Sequence, residues 1–373
     1  MKYSILSATL FILFVCIFDS SKAQKYDSTK INQSTEKYEE CTHPGKYEPI
    51  GVHASCCTGK GDLTLSYSFM NIHYKGNRQG TYLVSDNMLF QQDGYMMAPN
   101  TMDMQMHELM VMYGISDRFS AMAMTSYNLN KMTMNGMPPD LMNEMTGMPM
   151  GSMPNMPNSY VSSGLGDTKV FLMYKLRREC RYNFIIGTGI NIPTGSTTVN
   201  GTTLQGENTR LSYPMQIGTG TWDFLPRITY FGQRTVGIKN ILSYGIEATA
   251  DIKLVNNLQG YSNGDEYDLD AWISYKFRSW VSTSLRVKGI TQNQITGFDP
   301  AIYPLMYNDP GANPQNFGGQ WMNAYLGFNF YIDKGALKNL RFLLEYGIPV
   351  YQNLNGVQMS LQNSIHVGCK YSF

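Results

Sequence analysis

The methionines of this sequence are placed in a pattern that could bind a metal ion. The chain contains 26 Met, and 18 of them fall between Met96 and Met156. Along two predicted strands they alternate with other residues, so they share one face of each strand. The candidate group is Met102, Met104, Met106, Met110, Met112, Met122, Met124, Met132 and Met134. Thioether sulfur is a soft ligand that selects Cu(I), so the group is a candidate site for Cu(I) or Ag(I).

The same methionines also fit a purely apolar role. Successive residues on one face of a strand lie about 6.5–7 Å apart, and a neighbouring strand ~4.8 Å away could supply a further sulfur. Met is equally a flexible apolar side chain that fills irregular space, and would then line a path for aromatic or other hydrophobic solutes. A third possibility is a structural barrel whose Met-rich loop after the second strand binds a partner.

A second candidate set lies in the segment "CTHPGKYEPIGVHASCC". It contains Cys41, His43, His53, Cys56 and Cys57. Thiolate and imidazole together could bind copper or zinc, but the spacing matches no zinc finger or ribbon. The alternative is a disulfide from Cys41 to Cys56 or Cys57, because an exported protein meets an oxidising compartment.

The N-terminus predicts export. One early charge, Lys2, precedes an apolar run from Ile5 to Phe18, and small residues follow near Ala23. This pattern is typical of a secretory signal peptide, and the run is too short for a helix that spans a membrane. We therefore divide the chain into a signal peptide (1–23), a periplasmic lead or lumen plug that carries the Cys/His set (24–61) and an outer-membrane β-barrel (62–373).

Alternation with a period of two predicts strands through the rest of the chain. We expect twelve strands, with ten or fourteen as alternatives, because Pro214, Pro226 and two glycines could break one of them. The expected strands are 62–74, 102–113, 119–134, 164–176, 181–192, 214–231, 240–254, 266–277, 281–291, 320–332, 340–350 and 359–373.

The connections between these strands favour a membrane barrel over a secreted β-sandwich. Short connections at 114–118, 177–180, 278–280 and 333–339 alternate with long ones at 75–101, 135–163, 193–213 and 291–319. Short periplasmic turns and long outer loops are typical of antiparallel up-and-down barrels in the Gram-negative outer membrane. In the final "SIHVGCKYSF", one face of the strand carries Ile365, Val367, Cys369, Tyr371 and Phe373. We expect this apolar face to contact lipid and the opposite face, which carries His366, to line the lumen.

Composition agrees with a membrane barrel and excludes other classes. Charged residues make up 15% of the chain, against ~25% in typical soluble domains, and aromatic residues make up 13%. The net charge of +1 gives no reason to expect a nucleic-acid partner. The sequence contains no P-loop, dinucleotide fingerprint or nucleophile elbow, and "GLGD" and "GTGTWD" open no plausible helix. We therefore expect no enzyme activity.

Several stretches carry a resemblance to a known family. They include "PIGVH", "GDLTLSYSFMNIHYKGNRQGT", "GLGDTKVFLMYKL", "GINIPTGS" and "YPMQIGTGTWDFLPRITY". In order and content they resemble outer-membrane transporters catalogued under the meta-pathway of phenol degradation. The resemblance covers about residues 49–373 and implies passage of aromatic compounds, and its Met-rich branch implies heavy-metal handling, especially of copper. Where relatives tend to carry Met and His after "PIGV", this chain reads "HASCCTGKG".

Together these features predict an outer-membrane channel or transporter for small solutes, most of all hydrophobic or aromatic compounds. Binding or export of Cu(I) or Ag(I) by the lumen and loop methionines is the alternative, and a structural surface barrel with a partner-binding loop is the second alternative. The expected partners are outer-membrane lipid and the solute, with no nucleic acid. The protein is expected to be a monomer or a small oligomer.

Overall fold

The computed structural model describes residues 47–52, 59–146, 158–178, 182–236, 240–332 and 334–373. The predicted signal peptide and the whole Cys/His set (Cys41, His43, His53, Cys56 and Cys57) lie outside these residues. So does the part of the Met-rich loop between 147 and 157. Their predicted roles, and the three-part division of the chain, therefore stay predictions.

Antiparallel strands dominate the described chain, as the alternation predicts. They are β1 (Leu63–Gly80), β2 (Tyr82–Val84), β3 (Met97–Gly114), β4 (Phe119–Gly136), β5 (Ser159–Leu165), β6 (Thr168–Arg178), β7 (Tyr182–Ile192), β8 (Asn200–Thr203), β9 (Gly206–Arg210), β10 (Asp223–Val236), β11 (Asn240–Lys253), β12 (Tyr261–Ser262), β13 (Glu266–Arg278), β14 (Val281–Gln292), β15 (Thr296–Gly297), β16 (Gly319–Tyr331) and β17 (Leu340–Ser372). Two short helices, α1 (Asp86–Gln91) and α2 (Pro139–Thr146), lie in long connections. No described helix has the length and apolar character needed to cross a membrane.

The long strands pair in chain order, and β17 pairs with β1 to close the sheet into a barrel. In the described part of the chain, eleven strands form this closed sheet when β17 is counted once. The short strands β2 and β5 pair with β1 and β4 at its outer edge. β17 pairs antiparallel with β16 up to Leu354 and antiparallel with β1 from Leu354 onward. Because β1 and β16 run in opposite directions, the chain reverses inside β17, near Gly356, whose φ is +66°. β17 therefore crosses the wall twice, so the eleven strands make twelve crossings, and the predicted closed antiparallel barrel is confirmed.

The strand predicted at 214–231 begins later than the sequence pattern indicates. Residues Tyr213–Met215 form a 3-10 turn, and β10 starts at Asp223. Pro214 has no backbone N–H to donate to a neighbouring strand, and Tyr213 and Met215 are buried. The chain at this point turns inward over the barrel mouth instead of continuing the wall.

The two faces of the wall differ in the way that a lipid-exposed barrel requires. Outward side chains on β3, such as Leu109 and Val111, are apolar and exposed, Leu109 at 58%. Inward side chains on β14 and β17 include Arg286 and Glu345, which are buried. An outward apolar band around a polar interior is typical of outer-membrane barrels. The long connections mark the outer end, and the short ones mark the periplasmic end.

The described residues 47–52 lie inside the barrel near its periplasmic end. Glu48 forms an ion pair with Lys370 (Oε1 to Nζ, 3.0 Å), and its backbone oxygen accepts a hydrogen bond from the Asn329 side chain at 3.2 Å. The Tyr47 ring packs edge-on against Tyr331, with centroids 5.4 Å apart. We refer to residues 47–52 as the N-terminal segment.

Candidate functional site

The predicted methionines face the lumen, and the strand register sets them opposite one another. Since β3 and β4 are joined by a short turn, they pair along their whole length, with Met102 opposite Met132 and Met112 opposite Met122. Met110 similarly lies opposite Met124. Met102, Met110, Met112, Met122, Met132 and Met134 are buried, and Met104, Met106 and Met124 are partly buried.

These methionines form two groups rather than one continuous patch. The lower group contains Met110, Met112 and Met122, with Met124 packed against it. The upper group contains Met102, Met132 and Met134, with Met104 packed against it. The inward faces of β3 and β4 carry Glu108, Ser126, Asn128 and Asn130 between the two groups, because the alternation that points Met inward also points these polar residues inward.

Further methionines outside the predicted set join both groups. Met173 joins the lower group, and Met97, Met215 and Met359 contribute to the upper one. Met106 pairs with Met70 of β1. Met70 has the inward phase of β1 and could have been found by the same alternation argument. Met215 could not, because it reaches the lumen from a turn outside any strand.

A cavity of about 150 Å³ lies between the upper methionine group and the outer loops. Its described lining is mostly apolar and carries no charged side chain. The lining residues are Tyr74, Asn77, Pro99, Met102, Met104, Met132, Pro214, Pro310, Gly311, Phe317, Val357, Gln358 and Met359. Met102, Met104 and Met132 therefore form one wall of this partly open, mostly apolar space, and residues from two long loops form its roof.

The roof is held by contacts between the loop 193–222 and the loop 293–318. Arg210 forms an ion pair with Asp299 (Nη1 to Oδ2, 3.0 Å), and the Tyr213 hydroxyl accepts a hydrogen bond from the Asp299 N–H at 3.1 Å. The Tyr213 ring also packs edge-on against Phe317, with centroids 5.6 Å apart. These contacts tie the two loops together over the cavity.

Asp309 is a buried carboxylate in the same roof. Its Oδ1 accepts a hydrogen bond from the Gly311 N–H at 2.8 Å, directly beside the cavity lining. Burial, which penalises the charged form, raises the pKa of Asp309 from its ordinary value to about 6. The roof therefore contains one group whose charge changes in the mildly acidic range.

The two Gly-rich motifs organise this loop. In "GLGD", the Asp167 carboxylate accepts hydrogen bonds from the Gly195 N–H at 2.9 Å and from the Thr219 N–H at 2.8 Å. Gly195 and Gly218 lie so close that a Cβ on Gly195 would be 2.7 Å from the Gly218 Cα. Glycine is therefore required at this crossing, and Asp167 clamps the base of the loop.

Charged side chains occupy the lumen below the cavity. Arg286 donates two hydrogen bonds to Glu345, at 3.0 Å and 2.7 Å, and a third to Asp270 at 2.7 Å. Its guanidinium also lies over the Tyr325 ring, 3.8 Å from the centroid. A Cβ on Gly51 of the N-terminal segment would collide with this guanidinium. Arg341 and Lys288 likewise point inward.

The described histidines lie on both faces of the wall. His107 faces away from the methionines, and its Nδ1 lies 2.8 Å from the Tyr67 hydroxyl. His366 lies on the inward face of β17. Within the described ranges, no three His, Cys, Asp or Glu side chains come together in a way that would hold a metal ion.

The barrel architecture has a counterpart among solved structures. A crystal structure of an outer-membrane channel from Pseudomonas putida F1 matches with a TM-score of 0.55 at 10% identity, over 86% of this chain and 100% of that one. The fold is therefore that of an outer-membrane β-barrel. The β-domain of the Bordetella autotransporter BrkA (TM-score 0.40, 10% identity, 84% of this chain and 100% of that one) and the Pseudomonas putida toluene transporter TodX (0.36, 10%, 84% and 90%) also match. Those two scores are too low to establish a shared fold.

The sequence also matches a family model. The family described as "Putative MetA-pathway of phenol degradation" matches residues 140–319, just under half of the chain, in agreement with the resemblance seen in the motifs. The match does not distinguish the Met-rich, heavy-metal-associated branch. No curated protein sequence matches the chain.

Proposed function

We propose that the protein is a channel through which small hydrophobic or aromatic solutes cross the outer membrane, and that the Met-lined cavity binds them on the way. The observation that carries this proposal is the mostly apolar cavity of about 150 Å³ inside the barrel wall. An apolar protein cavity of about 150 Å³ stays dry and binds benzene. The volume therefore suits a single aromatic ring.

The lining chemistry supports the same class of solute. Sulfur–aromatic contacts contribute about 0.3–1.5 kcal/mol each, and Met102, Met104, Met132 and Met359 all line the cavity. Because no described lining side chain is charged, an ionic solute would lose its hydration without gaining a partner. Neutral solutes are favoured on both grounds.

The proposed passage is covered at its outer and at its periplasmic end. On the outer side, Pro214, Pro310 and Phe317 cover it. On the periplasmic side, Val52 of the N-terminal segment packs against the lower methionine group. A solute would enter by displacing the loops and leave by displacing the N-terminal segment. The barrel fold and the family match over 140–319 support the channel assignment.

Flux of toluene into liposomes that contain the purified barrel tests this proposal. Met359→Trp places a bulky ring in the cavity and is expected to reduce the flux to the level of empty liposomes. Met322→Trp is the matched control, because Met322 is 37% exposed on the outward face of the wall. Absence of wild-type flux above empty liposomes would refute the channel. Equal flux in Met359→Trp and wild type would refute the role of the cavity.

A soft metal ion is the second candidate solute, and the opposed methionines favour it. Directly opposite residues in an antiparallel pair have Cβ atoms about 4.5–5.5 Å apart, so the thioethers of Met112 and Met122 can approach one ion. The next inward pair, Met110 and Met124, lies beside them. Four neutral sulfur atoms are a ligand set suited to Cu(I) or Ag(I).

Titration of the purified barrel with Ag(I) tests the metal candidate. Replacing Met110, Met112, Met122 and Met124 by Leu keeps the apolar volume and removes the sulfur atoms. The variant is expected to lose Ag(I) binding while it retains toluene flux, because the four residues lie outside the cavity lining. Unchanged Ag(I) affinity in the variant would remove this candidate.

A further inference from the structure

A second concave surface, the outward groove, lies on the lipid-facing side of the wall near its outer end. It has a volume of about 380 Å³, and its lining includes Arg78 of β1, Leu83 of β2 and Val350 and Leu361 of β17. None of its described lining residues also lines the Met-lined cavity. Leu83 is 67% exposed and Val350 58% exposed, so the groove opens to the surroundings of the barrel and not to the lumen.

Two bulges in β17 shape this groove. The register of the first crossing skips Val350, which has no opposite residue on β16, and the register of the second crossing skips Gln362, which has none on β1. A bulge bends its strand and leaves the extra residue unpaired. Between the two bulges, the Leu361 N–H donates to Gln352 Oε1 at 2.9 Å, and Gln352 Nε2 donates to the Leu361 oxygen at 3.1 Å. A side chain therefore bridges the two crossings at this height.

The groove lies at the outer boundary of the lipid-facing band. From Phe342 to Val350 the outward residues of β17 are all apolar or aromatic, and each is at least 41% exposed. Eight steps of about 3.3 Å along a strand tilted by ~40° cover roughly 20 Å of an apolar band about 25 Å tall. On the second crossing, polar Asn363 and Gln362 precede the first outward apolar residue, Ile365. The groove thus begins where hydrocarbon gives way to lipid headgroups.

Arg78 is the charged side chain of the described groove lining. Its Nε donates to Ser360 Oγ at 3.4 Å, and its Nη1 donates to the Thr81 backbone oxygen. These bonds use two of the five N–H groups of a guanidinium, and the described chain gives Arg78 no carboxylate partner. The guanidinium fork matches the geometry of phosphate oxygens. The groove therefore combines a cation that has donors to spare with apolar walls.

We propose that the outward groove binds the phosphorylated glycolipid of the outer leaflet. One acyl chain lies along Leu83, Val350 and Leu361, and a phosphate of the headgroup binds Arg78. Each buried CH₂ of the chain contributes to affinity, and the charge-assisted bond to Arg78 selects a phosphorylated headgroup. The site is independent of the solute cavity, so flux through the barrel does not depend on it.

Titration of the full-length purified barrel with diphosphoryl lipid A, followed by native mass spectrometry, tests this proposal. Arg78→Gln is expected to weaken binding on the order of tenfold, the value of hydrogen bonds to a charged group. Removal of both phosphates from lipid A should weaken its binding to the wild-type protein to a similar extent. Lys131→Gln is the matched control and should bind as wild type does, because Lys131 is exposed on the outward face of β4 but lies outside the groove.

A variant that fills the groove separates its shape from its charge. Val350→Trp leaves Arg78 in place and is expected to lose lipid A binding, and it decides the question if Arg78→Gln does not fold. Wild-type affinity in Val350→Trp would overturn the proposal. Equal losses in Arg78→Gln and Lys131→Gln would show diffuse attraction to the surface and overturn the site. Dimers that Val350→Trp abolishes, without bound lipid, would assign the groove to a second copy of the chain and likewise overturn it.

Discussion

Replacing Arg286 by Met should destabilise the barrel strongly, because two buried carboxylates depend on this one guanidinium. Arg286 is 4% exposed and forms ion pairs of 2.7 Å with both Asp270 and Glu345. Removing the cation leaves two negative charges facing each other in the lumen. Breaking a buried ion pair costs about 3–5 kcal/mol, and losing the contact with the Tyr325 ring adds about 0.5–2 kcal/mol. We expect a loss of about 4–6 kcal/mol in the free energy of unfolding.

Urea unfolding of the folded barrel in detergent micelles measures this loss. The matched variant is the triple replacement Arg286→Met, Asp270→Leu and Glu345→Leu, which removes the carboxylates together with the cation. Replacing a whole buried ion network by apolar residues is often neutral or stabilising, so the triple variant should recover most of the lost free energy. Two results would refute the assignment of the effect to unpaired charge. One is a free energy of unfolding for Arg286→Met within ~0.5 kcal/mol of the wild-type value. The other is a triple variant that is as unstable as Arg286→Met.

Two further predictions concern the ends of the passage. Gly51→Val should displace the N-terminal segment from its contact with Arg286 and so raise the ion conductance of the barrel in planar bilayers. The control Gly289→Ala should leave the conductance unchanged, because its new Cβ would make only an ordinary 3.9 Å contact. Equal conductance in the two variants would contradict the packing of the N-terminal segment against Arg286. The pKa of Asp309 is about 6 in the folded protein and ~3.9 in the unfolded chain. Between these two values the folded roof binds more protons than the unfolded chain, so its stability falls as pH rises from about 4 to about 6. Proteolysis of the outer loops should therefore be slower at pH 5 than at pH 7.5, and Asp309→Asn should abolish the difference; a variant with the same pH dependence as wild type would show that another group is responsible.

The wall could be predicted from the sequence because each strand contacts two different solvents. Lipid and lumen impose a period of two on every crossing, so the alternation around Arg286 or Ile365 fixes the phase of the strand without knowledge of its neighbours. The twelve crossings and the inward orientation of the β3 and β4 methionines follow from this local rule. The rule fails where the chain leaves the wall, which is why the segment before Asp223 was wrongly included in a strand.

The cavity could not be predicted in the same way. Its lining combines Asn77, Pro214, Pro310 and Met359, which are far apart in sequence and meet only when the loops fold over the mouth. Asn77 in addition has the wrong phase for strict alternation, because β1 has one more residue than β17 between the pairs Tyr74–Leu361 and Asn77–Met359, at Gly76 with φ of +67°. Likewise, Met-x-Met spacing indicates a common face but does not reveal that Glu108 divides the methionines into two groups.

The double crossing made by β17 determines how the barrel closes. The bond between the Thr64 and Ser372 hydroxyls, 2.9 Å long, joins residues 308 positions apart, so closure of the ring depends on the second crossing of β17. Without that crossing, the sheet would have two edges of unpaired N–H and C=O groups, which hydrocarbon cannot satisfy. We therefore expect a chain truncated within β17 to form no stable barrel in lipid or detergent.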